Sequence, residues 1–476
     1  MRKKEKKIVF YFPWKEVSGG PYYLTGIANE IAEKKEYDVY YTDYYNGISD
    51  ELLIPSVKKI EFTKFRDFEV FPNEPVILII PIYFLHALPV MNKDSKIIFV
   101  NWHTLCIEQI KKDAKLYGDK LTDFLKMVSD NNCTMFGDKS HWRSQSSYGV
   151  EFKNNYVPVV TTQKNLFAPH ELVSKEKNIS ILGRVSLDKV YAYIDLIHNI
   201  EKAYPDDNQI NIHIIGEGKY EPLISQESFN DNINIIRHGT LPLDEAMRVI
   251  VYKSDALFAM GKSILEGASV GIPSVIIPNK DERFQCDKYV YIYDTKEYCL
   301  GWDPDEIDIL ELKTHSVKEI IDSIYVYGKK KEIADKCYNY FLENHTTNSD
   351  ALLEIIKQSS MYYSQLSEFI ERNVPADAKL CNHKQLPLVI RKIQKILKRI
   401  KEVIGTRHKQ VSLLGIPIFT ITKTDPINYN VFLFIIPLFR CITNNKSKSY
   451  SFHILPIYWI YKFFRGIFRF IKKKSA

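Results

Sequence analysis

Between residues 178 and 278 the chain passes through "ISILGR", "INIHIIGEG", "INIIRHG", "DALFAM" and "PSVIIP", short β-branched runs parted by stretches of helical period. Such alternation leaves little choice of fold, because parallel strands need crossover helices and those helices must cover the faces of the sheet. The same scheme occurs earlier in "KIVFYF", "YDVYYTD", "PVILIIP" and "KIIFVNW", with a helical pattern from Leu24 to Lys35. The spacing predicts an α/β protein of two doubly wound, Rossmann-like domains. Pro158 and Pro169 interrupt the pattern in "YVPVVTTQKNLFAPHEL", which sets a first domain over 1–165 and a second over 166–375. Helical patterns from about 316 to 370 are expected to close the second domain.

With 476 residues, 45% of them apolar and 26% charged, the chain can fill two cores of ordinary size. Its seven cysteines are scattered and include no C-x-x-C pair, so neither a disulfide framework nor a zinc site is signalled, and a reducing cytosol fits best. The basic start runs into an apolar stretch broken by Pro13, which reads as a first buried strand, Lys7 to Phe12, rather than a signal peptide.

Charge divides the chain sharply. From residue 381 onward there are 19 Lys and Arg against 2 acidic residues, a net +17, so residues 1–380 carry −10 of the overall +7. "LPLVIRKIQKILKRIKEVIG" (386–405) places Val389, Ile393, Ile396, Leu397, Ile400 and Ile404 on one helical face among lysines and arginines. An apolar-Pro-apolar-aromatic unit then recurs at Ile416-Pro-Ile-Phe419, Ile436-Pro-Leu-Phe439 and Leu455-Pro-Ile-Tyr458, and 458–474 is aromatic and basic at once. Nowhere does an uncharged apolar run approach the ~20 residues of a spanning helix. The expected form of 376–476 is a basic, amphipathic extension that lies on an anionic membrane surface through residues 386–474.

Open parallel sheets bind ligands past the carboxyl ends of their strands, and four pieces of the second domain fall there, among them "HGTLPLDEAMRVIVYKSDALFAMG", which supplies a strand and its turn. Gly183-Arg184 ends a strand with Lys189 five residues on, a spacing that lets two cations flank a diphosphate. Gly216 and Gly218 follow the next strand, where backbone can approach a ligand closely. Gly261-Lys262-Ser263 imitates the end of a P-loop, but the glycine needed five positions earlier is Ala256 within a strand, which excludes a triphosphate cradle. What remains is a glycine turn and a helix whose first turn carries Glu266, able to accept both hydroxyls of a ribose. Ser263-x-x-Glu266 also fits a capping box, so the sequence leaves a purely structural role open.

In this order the pieces resemble the large nucleotide-sugar glycosyltransferase family with the two-domain GT-B fold, often called glycosyl transferases group 1. The resemblance is strongest over 178–278: G-R-x-x-x-x-K at 183–189, G-x-G at 216–218, "NINIIRHGTLP" followed by Tyr252 and Asp255, and L-E-G-A-x-x-G-x-P at 265–273. It extends more weakly to Gly19-Gly20, to His103 in "NWHTL", and to "YGVEFKNNYVPV". The resemblance implies two facing domains, with His103, Arg184 and Lys189 as the catalytic groups. Arg184 and Lys189 would hold the donor diphosphate, Glu266 the ribose, and Gly20 and His103 the sugar side, with no metal or other cofactor. Gly19, Gly183, Gly216, Gly218, Gly261 and Ser263 would complete the binding loops. One departure stands out: the family's first glutamate, eight positions before Glu266, is Phe258 here, which leaves donor sugar and stereochemical outcome open.

The expected activity is transfer of a sugar from a nucleotide diphosphate sugar to a lipid-linked or growing surface polysaccharide acceptor, by a cytoplasmic enzyme peripheral to the inner face of the cell membrane. Two alternatives remain at this level. One is transfer of glycerophosphate from a CDP-activated donor on the same fold. The other is a non-catalytic RNA- or nucleotide-binding protein, since aromatics among Lys and Arg also suit stacking on single strands; the apolar-Pro repeats favour lipid over nucleic acid. Asp303-Pro-Asp305, the string a metal-using transferase would need, lies in a polar acidic stretch and reads as a solvated loop.

Overall fold

The computed structural model describes residues 7–14, 19–63, 68–162, 164–206, 209–375 and 378, and the strands 408–413, 416–423, 429–433, 436–444 and 447–452. It divides into two compact units, 1–383 and 384–476. The helical pattern over 386–405, the third apolar-Pro repeat at 455–458 and the segment 458–474 lie outside the described residues.

Within the larger unit, β1 (Lys7–Tyr11), β2 (Asp38–Asp43), β3 (Lys58–Glu61), β4 (Ile77–Pro81), β5 (Lys96–Asn101) and β6 (Thr134–Phe136) form a sheet of order β3-β2-β1-β4-β5-β6. All its neighbours are parallel. The second sheet repeats the plan with β7 (Lys177–Leu182), β8 (Ile210–Ile215), β9 (Ile233–Gly239), β10 (Ala256–Ala259), β11 (Ser274–Ile276) and β12 (Val290–Tyr291), in the order β9-β8-β7-β10-β11-β12. Only β12 runs antiparallel. Both sheets have the doubly wound Rossmann order, in which the chain reverses direction of travel between the first and fourth strands. The central strands read as unbroken apolar runs because helices cover both faces, and every residue of β4 is buried. By contrast, β3 is an edge strand of sequence KKIE without a buried residue, β6 has three residues and β12 two, too little pattern for sequence reasoning to find.

The helices that place the site are α1 (Gly19–Glu33), α2 (Cys106–Ala114), α3 (Lys139–Ser146), α4 (Leu187–Ala203) and α5 (Lys262–Ala268). Of the helical run after residue 316, α6 (Val317–Tyr325) and α7 (Lys330–Asn344) pack on the second sheet through Ile320, Ile324, Ile333 and Phe341. The next two do not. Helices α8 (Ser349–Gln358) and α9 (Tyr363–Asn373) return to the first core, where Leu352, Ile356, Met361 and Leu366 are buried. The crossing is anchored on α1, because the Glu30 carboxylate accepts the backbone N–H groups of Asn348 and Ser349, both at 3.1 Å. The expectation that 316–370 closes the second domain therefore holds only to Asn344.

The smaller unit contains a five-stranded antiparallel meander: β13 (His408–Leu413), β14 (Ile416–Lys423), β15 (Tyr429–Leu433), β16 (Ile436–Asn444) and β17 (Ser447–Phe452). The first two apolar-Pro repeats are the starts of β14 and β16. Pro417 pairs with Ser412 and Pro437 with Phe432, and in both hairpins the register shifts beside that pair. A proline cannot donate to the ladder, so an irregularity at the same point of each hairpin is the expected consequence. Among the described residues no helix is long and apolar enough to cross a membrane.

Candidate active site

A topological switch point opens a crevice beyond the strand ends, and here both sheets bring theirs to one cavity of about 530 Å³. From the first sheet come Phe12 after β1, Tyr83 after β4, and Trp102 and His103 after β5; from the second come Arg184 after β7 and Lys262 after β10. Strands β7 and β10 are neighbours, with Leu182 opposite Ala259, so Arg184 and Lys262 leave adjacent strand ends. This brings together Gly19, Gly20, His103 and Arg184 of the expected site, while Lys189, Gly183, Gly216, Gly218, Gly261, Ser263 and Glu266 do not line the cavity.

The aromatic wall explains Gly20. A Cβ there would stand 3.0 Å from the Phe12 ring and 3.2 Å from Trp102, and these two rings meet edge to face at 4.8 Å. His103 packs on Tyr83, and its Nδ1 accepts the Leu105 N–H at 3.1 Å. Burial, and then the neighbouring His141, hold its pKa down at about 4. At neutral pH the ring is thus uncharged with its proton on Nε2, able to donate to a hydroxyl.

His141, also in the cavity wall, escaped sequence reasoning. Asp138 caps α3 by accepting the His141 N–H at 3.0 Å, and the same oxygen lies 3.2 Å from His141 Nδ1. Burial raises the Asp138 pKa and lowers that of His141. The available signal was Gly137-Asp138-x-x-His141 at a strand end, where the capping aspartate and the histidine one turn later share a face. Gly137 makes room, since a Cβ would fall 2.9 Å from Nδ1.

On the second domain Lys189 sits beneath the Gly183 turn, its Nζ 3.5 Å from where a Gly183 Cβ would be. Burial lowers its pKa, Asp188 opposes this and Arg184 reinforces it. Lys262 Nζ lies 4.8 Å over the Tyr22 ring of α1, a cation–π contact that joins the domains. Burial lowers its pKa as well, with Glu266 acting against that and Lys164 with it.

Gly216 and Gly218 serve another purpose than a close approach to ligand. A Cβ on Gly216 would be 2.1 Å from the Gly183 carbonyl oxygen, and one on Gly218 2.2 Å from that of Val185. These glycines let two loops meet backbone to backbone, and Gly216 also has φ of +129°. Gly216→Ala should therefore cost about 1–3 kcal/mol in urea denaturation by forcing the loops apart; wild-type stability would contradict this packing.

The capping-box reading of Ser263 and Glu266 is not realised. Gly261 holds the cap position of α5 with φ of +59°, no side chain caps the helix, and Ser263 is its second residue. Glu266 is 4% exposed and points at the linker between the domains. Its Oε1 accepts Thr161 Oγ1 at 3.0 Å, Lys164 Nζ is 3.4 Å from Oε2, and Lys262 Nζ is 3.8 Å from Oε1. Glu266→Gln is expected to lower stability by about 1–3 kcal/mol, the scale of a charge-assisted hydrogen bond in a buried site. Thermal melting checks this, and an unchanged midpoint would deny the clamp.

Two further motifs prove structural. Asp255 lies at the start of β10, the end away from the cavity, in a buried pair with Lys330 at 2.8 Å. Asp303 caps a short 3₁₀ turn and Asp305 pairs with Lys280 at 2.7 Å, a solvated loop as its composition predicts.

Two Rossmann-like sheets whose switch points share one cavity form the GT-B architecture. No family model matches the chain, and no curated protein does. It is similar to solved structures of glycosyltransferases. One is TarM, at 11% identity over 75% of this chain and 99% of that one, with a TM-score of 0.48. Another is a glycosyltransferase from Rickettsia africae, at 12% identity over 75% and 98%, with a TM-score of 0.48. A third is HepE from Anabaena, in complex with UDP and glucose, at 10% identity over 74% and 100%, with a TM-score of 0.45.

Proposed function

We propose that the chain is a glycosyltransferase that moves a sugar from a nucleotide diphosphate sugar to an acceptor hydroxyl. The observation that carries this reading is the pair Arg184 and Lys262 on adjacent strand ends, facing a cavity whose other wall belongs to the first domain. Cations so placed neutralise the diphosphate as it leaves, so the reaction asks for no metal and no other cofactor. Lys189 supports the same charge from beneath the Gly183 turn, and His103 Nε2–H addresses a hydroxyl of the donor sugar. Glu266, outside the cavity lining with its Oε2 3.4 Å from Lys164 Nζ, acts on donor binding only through the linker it holds. A screen of UDP-, GDP-, ADP- and CDP-sugars by thermal shift tests the proposal, because a ligand that binds only the folded state raises its melting temperature. At least one of them should raise it, and a flat response to all would defeat the proposal.

The acceptor belongs to a lipid-linked or growing surface polysaccharide, and the enzyme works at the inner face of the cell membrane. What supports this is the +17 carried from residue 381 onward. A chain ending at residue 383 is expected to fold, to respond to the same nucleotide sugar and no longer to co-sediment with phosphatidylserine vesicles. Full binding by the shortened chain would remove the membrane role from the tail.

A further inference from the structure

The cavity has two chemically different ends. Among its lining residues the cations are Arg184 and Lys262, both from the second domain, whereas the first domain contributes a carboxylate, Asp113, near the end of α2. Asp113 is 2% exposed. Its Oδ2 accepts a hydrogen bond from Gln109 Nε2 one helical turn earlier, which fixes the side chain, and its Oδ1 has no hydrogen-bond partner among the described residues. His86 lies close enough to feel this charge without hydrogen bonding to it. A buried carboxylate oxygen left without a donor is costly, so its presence in a cavity wall calls for a ligand that supplies one.

Resting on the glycosyltransferase reading, we infer that Asp113 and Gln109 form the acceptor subsite and that the acceptor's reacting unit is a neutral saccharide. Sugar hydroxyls donate to Asp113 Oδ1, and the Gln109 amide keeps the carboxylate turned toward them. The rings of Trp102 and Phe12 in the same wall offer flat apolar surface to the C–H face of a pyranose. A phosphate in the same place would face a like charge, with the lining cations committed to the donor side. The subsite therefore selects a sugar hydroxyl over a phosphate-bearing group. The two residues act in recognition and are not the site of bond breaking.

Saturation-transfer NMR on the full-length protein tests this. The probes are the methyl glycosides of glucose, galactose, mannose and N-acetylglucosamine, with glycerol 3-phosphate as the anionic comparison and UDP, GDP, ADP and CDP in a parallel titration. At least one methyl glycoside should bind, and Asp113→Asn should raise its Kd about tenfold or more, the scale of a hydrogen bond to a charged group. Affinity for the nucleoside diphosphate should stay within about twofold, since it is governed by other groups. Gln109→Ala, at a partly exposed position, serves where Asp113→Asn fails to fold, and should weaken the glycoside by a few-fold. Glycerol 3-phosphate binding in preference to every glycoside, or glycoside binding unchanged in both variants, overturns the inference and leaves the nucleotide reading standing. Absence of nucleoside diphosphate binding overturns both.

Discussion

Lys330→Met is expected to destabilise the protein by about 3–5 kcal/mol, because it leaves a buried carboxylate without its counter-charge. Asp255 is 0% and Lys330 4% exposed, and they meet at 2.8 Å. Asp255 also accepts the Tyr325 hydroxyl at 2.7 Å and the Val173 N–H at 2.9 Å, while Lys330 donates to the Glu171 carbonyl at 2.6 Å. One pair thus holds α6, α7 and the segment entering β7 against the start of β10. Urea denaturation would show the loss as a lower midpoint. The folded fraction should keep its nucleotide affinity, since the pair lies at the opposite end of β10 from Lys262. A loss below about 1 kcal/mol would place the pair among ordinary surface contacts.

Arg184→Ala is expected to cut turnover by one to three orders of magnitude, roughly 2–4 kcal/mol of lost stabilisation of a developing anion. Arg184 is exposed, so melting should be unchanged. Lys189→Ala should give a comparable loss of turnover together with lower stability, because Lys189 packs under the Gly183 turn. Steady-state rates at sub-saturating donor measure both losses, and the melting temperature distinguishes the two positions. Near-normal turnover in Arg184→Ala would remove the diphosphate from this end of the cavity.

The buried strands were legible because their apolar runs are continuous: "PVILIIP" and "DALFAM" contain β4 and β10 with bounds off by no more than two residues. The order of motifs at the second sheet's strand ends was legible too, since each lies within a few residues of a strand. What stayed hidden depends on contacts between distant residues. The pattern of α8 and α9 shows helices but not that Met361 and Leu366 lie in the first core. Ser263-x-x-Glu266 satisfies the spacing of a capping box, yet the left-handed Gly261 takes the cap and frees Glu266 for the linker. Gly216 looks like a ligand loop until the Gly183 carbonyl beside it is known. Asp113 was invisible for the same reason, a solitary aspartate in an amphipathic helix whose free oxygen means something only once the cavity exists.

Release of nucleoside diphosphate from the nucleotide sugar that raises the melting temperature, measured with excess EDTA and a binding methyl glycoside as acceptor, tests the central claim most directly. The account predicts release that persists in EDTA, needs the glycoside, and falls by one to three orders of magnitude in Arg184→Ala. No release from any nucleotide sugar, or release equal in wild type and Arg184→Ala, would contradict it.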